Sequence, residues 1–198
     1  AIVTGGAGLL GRQHAEVLSE AGANVVIADR VGDAAASTAT ELEEKFKVPT
    51  LSVAVDVGDE NSVRAMVKQI LERFGRIDIL INNAGIGKRM TLAEITREEM
   101  QKIYEVNVFG ATMVAQGALP FFQKLGAGNI VNIASTASLK GYPTGSIYAS
   151  SKFALRGLTQ CWQGELRRDN IRVIQVNPSE VPTAFGDEKN REERALEE

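Results

Sequence analysis

The 198-residue chain has one cysteine, one histidine and one tryptophan. A lone Cys161 excludes an internal disulfide and fits a reducing compartment, for which we expect the cytoplasm; it reads as a small apolar residue buried in a helix. With His14 as the one imidazole, no Cys/His zinc site can be built and no metal is expected. A Cys–His nucleophilic pair is not expected either, because His14 falls in the first helical pattern and Cys161 in a late one. No apolar run approaches the ~20 residues that span a bilayer, so no membrane partner is expected. Basic residues are not in excess: 22 Lys and Arg against 25 Asp and Glu leave a net charge of −3. Without a cationic face for the phosphate backbone, nucleic acid is not an expected partner.

What the chain does have is alternation. Short β-branched runs stand at Ala1–Val3, Val25–Ile27, Leu51–Val55, Ile77–Ile81, Ile130–Ile133 and Ile171–Val176. Between them, Gly11–Ala21, Ala34–Phe46, Asn61–Phe74, Thr96–Leu125 and Tyr148–Arg168 carry apolar residues at three- and four-residue spacing, the mark of helices. Strands apolar on both faces, separated by helices, predict an α/β fold: a doubly wound parallel sheet with helices on both faces, in the Rossmann manner. A composition 44% hydrophobic fits one domain over residues 1–198. Both ends read as cut, since the chain starts inside a strand and no apolar run after the sixth supplies a C-terminal strand.

Tyr148 and Lys152 are one helical turn apart, with Ser135 upstream. A phenol titrates near ~10 and needs about 4 kcal/mol of preferential phenolate stabilisation to work near neutrality. An ammonium at about 4 Å supplies that much at an effective dielectric of about 20, but only about 1 kcal/mol in bulk water, so the pair needs a dry setting. Alone, such a spacing recurs by chance on amphipathic helices, and context has to decide.

Context begins at Thr4-Gly5-Gly6-Ala7-Gly8-Leu9-Leu10-Gly11, a glycine-rich turn between the first strand and first helix. Such turns let backbone approach a pyrophosphate whose charge meets the helix N-terminus. The second strand ends in Asp29-Arg30, where a carboxylate can accept hydrogen bonds from an adenosine ribose. It also repels a 2′-phosphate, which favours NAD over NADP, with Arg30 a partial compensation.

In this order, and with Asp56-Val57, Asn82-Asn83-Ala84-Gly85, Asn107, Ser135, Tyr148/Lys152, Asn177-Pro178 and Thr183, the chain resembles the short-chain dehydrogenase/reductase family. The likeness is to the compact single-domain branch and its 3-oxoacyl-carrier-protein-reductase-like members, and runs from about Ile2 to Thr183. The resemblance implies an NAD(H)-dependent oxidoreductase that interconverts a secondary alcohol and a ketone. Tyr148 would exchange the proton, Lys152 would lower its pKa and hold the nicotinamide ribose, Ser135 would hold the carbonyl, and Asn107 would anchor a water linking Lys152 to solvent. Gly5, Gly8, Leu9, Leu10 and Gly11 would cradle the phosphates. Asp29 and Arg30 would meet the ribose, and Asp56 and Val57 would bracket adenine. Asn83, Ala84 and Gly85 would line the cofactor, while Pro178, Val181 and Thr183 would meet the nicotinamide end.

Each assignment has a structural counterpart. Asp56 can cap a helix, Asn107 can be a hydrogen-bonded buried asparagine, and Asn82 and Asn83 can tie neighbouring strands. Leu9 stands where the compact branch usually has glycine, a spacing similar to the extended branch, so an epimerase or dehydratase acting on a nucleotide sugar stays open; so does a non-catalytic dinucleotide-binding regulator. Ser179 replaces the glycine usual after Asn177-Pro178. The resemblance also implies a homodimer or homotetramer built on the Thr96–Leu125 and Tyr148–Arg168 helices.

Overall fold

In the computed structural model, which describes residues 1–179 and 181, six strands form one parallel sheet. They are β1 (Ile2–Thr4), β2 (Val25–Asp29), β3 (Thr50–Ala54), β4 (Ile79–Asn82), β5 (Gly128–Ile133) and β6 (Ile171–Val176), in spatial order β3-β2-β1-β4-β5-β6. The helices between them are α1 (Leu9–Glu20), α2 (Gly32–Phe46), α3 (Glu60–Phe74), α4 (Arg97–Tyr104), α5 (Ala111–Leu125) and α6 (Ser146–Leu166). The order reverses between β1 and β4: the chain winds outward to β3, then returns to pair β4 with the far side of β1. In open α/β sheets that reversal opens a crevice at the carboxyl ends of the strands.

Strand side chains alternate between two cores, as a period of two requires. Ile2, Val26, Leu80 and Ile130 face one cluster with Val63, Met66, Ile70, Val114 and Phe122 of α3 and α5. Val3, Ile27, Ile81 and Ile133 face the other, with Ala15, Ala35 and Leu42 of α1 and α2. The strands are thus apolar on both faces because both faces are covered.

The 96–125 stretch is not one helix. Between α4 and α5, Glu105–Gly110 winds as a π-helical segment, a form that needs a local reason. Two are present: the Asn107 side chain bonds the main chain of Ile86, and a Cβ on Gly110 would lie 2.7 Å from Val57 Cγ2. Cys161 is exposed on α6, contrary to the buried position expected of it. Its neighbour Trp162 takes the core-facing position instead. Among the described residues no helix is long and apolar enough to cross a membrane.

Candidate active site

The residues singled out by sequence lie at strand ends, in the loops after them and on the π segment and α6. After β1, Gly5 adopts φ +62° and lies against β4's end, where a Cβ would meet Ala84 Cα at 3.0 Å. A Cβ on Gly11 would lie 2.0 Å from the Gly5 carbonyl oxygen, so only glycine lets α1 start this close to the turn. The N-cap of α1 is Gly8, with no side-chain hydrogen bond, which leaves first-turn N–H groups of Leu9, Leu10 and Gly11 to an outside acceptor. Leu9, 47% exposed, starts the helix and takes no part in the core.

Asp29 closes this end. One carboxylate oxygen accepts from Ala7 N (3.1 Å) and the other from Val31 N (3.0 Å), so the side chain is fixed across the glycine turn while staying half-exposed. Arg30 is exposed beside it. Asp56 is exposed and its Oδ1 accepts from Gly58 N at 2.9 Å. It caps a turn rather than α3, whose N-cap is Asp59, accepting from Asn61 N and Ser62 N. Val57 is buried under Gly110.

Asn82, the last residue of β4, and Asn83 after it do tie strands. Asn83 Nδ2 donates to the Thr4 and Gly5 carbonyls (2.9 and 3.1 Å), while Thr4 Oγ1 accepts from Asn83 N and Ala84 N at 3.0 Å. Asn82 Nδ2 donates to Ala111 O and to Asn132 Oδ1, and Asn132 Nδ2 continues to Thr159 Oγ1. The glycine turn and the Asn83–Gly85 strand end are therefore one rigid unit at the reversal point.

The catalytic candidates converge on the other side of that unit. Ser135, half-buried after β5, starts a short 3-10 turn and accepts from Ala137 N at 3.1 Å. Its hydroxyl also shares a hydrogen bond with the Tyr148 phenol. Lys152 is 3% exposed, its Nζ donating to Ile133 O at 2.9 Å and lying 5.7 Å from the Tyr148 ring centroid. A Cβ built on Gly85 would stand 3.4 Å from both Lys152 Nζ and Asn107 Oδ1, so both polar groups face the α-carbon of Gly85. Asn107, 1% exposed, accepts from Ile86 N (2.8 Å) and donates to Ile86 O (2.9 Å) and Ser151 Oγ (3.0 Å). Ser151 in turn donates to the Tyr148 carbonyl at 2.7 Å. Asn107 thus holds the Gly85–Ile86 strand end against the helical turn that carries Tyr148.

Burial dominates the electrostatics. It pushes Lys152 down from 10.5 to about 8, which leaves the ammonium charged at neutral pH. It also pushes the Tyr148 phenol up from its ordinary value, against the Ser135 hydrogen bond, which pulls it down. Burial is the largest influence on the phenol here, and the Lys152 ammonium, 5.7 Å from the Tyr148 ring centroid, keeps its charge while donating to the Ile133 carbonyl.

Several supporting residues carried no signal of their own in the sequence. Ser151 stands three residues beyond Tyr148 and was readable only as part of the helix. Ser138, fully buried, donates to Ser135 O (2.7 Å) and has Asn177 Oδ1 2.9 Å from its hydroxyl, and Arg156 reaches the Ser138 carbonyl at 3.3 Å. Pro178 O accepts from Thr136 N at 2.9 Å, which joins the loop after β6 to the Ser135 turn. Val181 is exposed, and Thr183 lies outside the described residues.

A glycine-cradled helix start, a fixed carboxylate at the end of β2 and a buried lysine beside a tyrosine are the features set against known proteins. The model of the short chain dehydrogenase family matches residues 1–194, and the chain belongs to the short-chain dehydrogenase/reductase family of oxidoreductases. It is 36% identical over 188 residues to trans-4-hydroxycyclohexanecarboxylate dehydrogenase of Sinomonas cyclohexanicum, covering 92% of this chain and 72% of that protein. An alcohol dehydrogenase from Thermococcus sibiricus, solved with 5-hydroxy-NADP, superposes with a TM-score of 0.89 at 30% identity, over 93% of this chain and 77% of that one. A 3-ketoacyl-(acyl-carrier-protein) reductase from Brucella melitensis, solved with NADH, gives 0.85 at 33%, over 90% and 73%. A nicotinamide dinucleotide is accordingly the cofactor class.

Proposed function

We propose that this chain interconverts a secondary alcohol and a ketone, with Tyr148 handling the proton of the hydroxyl or carbonyl oxygen. The observation that carries this reading is the Ser135 hydroxyl bonded to the Tyr148 phenol, with Lys152 beside the Tyr148 ring and facing Gly85. The residues fit the cofactor: the glycine cradle and uncapped start of α1 suit a pyrophosphate, Asp29 suits a ribose diol, and the side-chain-free face of Gly85 beside Lys152 suits the nicotinamide ribose. When bound, the dinucleotide supplies the hydride acceptor or donor. Asp29 presents a carboxylate where a 2′-phosphate would sit, and we read the preference as NAD over NADP.

The chain's own residues do the rest. Ser135 orients the substrate oxygen and Tyr148 gives it a proton or removes one. The phenol, held protonated by burial, is in the form that donates to a developing alkoxide. Lys152 keeps a positive charge close by at neutral pH, and in a dry crevice such a charge acts with little screening. Asn107 positions both by fixing the Gly85–Ile86 strand end to the Tyr148 turn.

We read residues 1–198 as one catalytic domain that works as a homodimer or homotetramer. Supporting this, Phe109 and Phe153 are 50% and 42% exposed on the π segment and α6, the region expected to meet a second copy.

The test is alcohol oxidation followed by NADH or NADPH absorbance with NAD and NADP in parallel, over a broad panel of secondary alcohols. Tyr148→Phe is expected to lower kcat by about 10³-fold, within the usual range for acid/base groups, with cofactor affinity changed less than threefold. A Tyr148→Phe protein that keeps a tenth of the activity overturns the assignment. Cofactor binding with no turnover of any alcohol would favour the non-catalytic reading.

A further inference from the structure

Two loops meet next to the start of α6, the helix that carries Tyr148, and one of them carries a cation that forms no salt bridge among the described residues. The loop after β4 runs through Lys88, Arg89 and Met90, and Met90 N donates to Thr144 O at 2.8 Å, joining it to the loop that precedes α6. That second loop is tightly built. Thr144 sits at φ +64°, Gly145 N donates to Tyr142 O at 3.1 Å, and the Tyr142 ring lies so close to Gly145 that a Cβ there would be 2.3 Å from it. Tyr142 is thus fixed at the start of the helix that carries Tyr148, near enough for the charge of one phenol to act on the other.

The two cations of the first loop differ. Lys88 is neutralised by Glu99 at 2.7 Å. Arg89 forms no salt bridge among the described residues; its guanidinium lies over the Tyr142 ring, 6.0 Å from the centroid. Glu94, five residues along the chain, is occupied with the backbone N–H and hydroxyl of Thr91. An arginine stacked on an aromatic face keeps its N–H fork free, and that fork matches a carboxylate in two parallel hydrogen bonds.

We propose that Arg89, held over the Tyr142 ring, recognises a carboxylate on the substrate, so that the favoured substrates are hydroxy acids and oxo acids whose carboxylate lies at a distance from the carbon being oxidised or reduced. The proposal rests on the alcohol/ketone reading given above. Arg89 acts here as a specificity-determining residue, and Tyr148 remains the group that moves the proton.

The experiment compares 3-hydroxybutyrate, 4-hydroxypentanoate and 5-hydroxyhexanoate with their methyl esters and with 2-butanol, using the full chain, wild type and Arg89→Gln. The wild type is expected to favour at least one acid over its ester by tenfold or more in kcat/KM. Arg89→Gln should raise KM for that acid at least tenfold, leave the ester within twofold, and leave the melting temperature unchanged; Arg89→Lys should restore part of the loss. Esters or 2-butanol oxidised as well as every acid, or an Arg89→Gln effect equal on acid and ester, would overturn the carboxylate proposal and leave the dehydrogenase reading standing. Absence of Tyr148-dependent turnover with every compound would overturn both.

Discussion

The loops after β1, β2 and β3 and those after β4, β5 and β6 are held by different means. On the first side the decisive contacts are made by the main chain: Gly11 over the Gly5 carbonyl, Gly5 against Ala84, and two backbone N–H groups bonded to the Asp29 carboxylate. On the second side buried polar side chains do the work: Asn82, Asn107, Asn132, Ser138, Lys152 and Thr159 are all buried. The first side suits a ligand whose phosphates are recognised by shape and backbone dipoles. The second suits chemistry in which a proton moves, because a buried network fixes donors and acceptors in a setting where charge is felt strongly. Substitutions on the first side should therefore act sterically and without regard to pH, and those on the second through charge.

The largest effect is expected from Gly11→Ala. Its new methyl group would fall 2.0 Å from Gly5 O and 2.8 Å from Asn83 Nδ2, atoms that cannot yield without moving the turn. A loss of about 3 kcal/mol in urea unfolding is expected, equal at pH 6 and pH 9, together with loss of cofactor binding. An unchanged unfolding midpoint would break the comparison at its steric side.

Lys152→Met probes the other side and has the opposite sign. The folded pKa, about 8, lies below the ordinary 10.5, so the native state resists protonation and the buried charge costs stability wherever the lysine is protonated. A shift of that size corresponds to about 3 kcal/mol, from which loss of the Ile133 hydrogen bond takes back about 1 kcal/mol. Lys152→Met should be about 2 kcal/mol more stable at pH 7 while losing turnover. Wild-type stability should rise as pH goes from about 8 toward 10.5, erasing the difference; thermal unfolding across that range reads it. A variant less stable than wild type at pH 7 would show that the ammonium is better solvated than its burial indicates.

The smallest effect sharpens the picture at the crevice mouth. Thr144 holds a left-handed backbone at φ +64°, strained for a β-branched residue. Thr144→Gly should raise stability by about 0.5 kcal/mol, since relief of that strain exceeds the entropy glycine adds to the unfolded chain. A fall instead would mean that the threonine side chain itself braces the loop. Calorimetry resolves either outcome.

Much of this was legible from residue order. The six strands and their parallel arrangement followed from β-branched runs alternating with helical periodicity, and the structure changed their bounds by only a few residues. The glycine turn and the Tyr148–Lys152 spacing were readable because each depends on neighbours in sequence. What was not readable depended on partners far away along the chain. The 96–125 stretch has continuous helical periodicity, and only the bonds from Asn107 to Ile86 and the close approach of Gly110 to Val57 explain its π segment. Likewise Asp56 was readable as a helix cap, and only geometry gives the cap of α3 to Asp59 instead.

By itself, then, the sequence determined the class of fold, the family and the chemical groups available to the site, because these rest on local periodicity and short-range motifs. Tertiary structure alone decided their states. It buried Lys152 against the Ile133 carbonyl, made burial the largest influence on the Tyr148 phenol, and left Arg89 over the Tyr142 ring while Lys88 found Glu99. The physical reason is that charge and protonation are set by desolvation and by partners brought from other elements, and neither exists until the sheet has assembled.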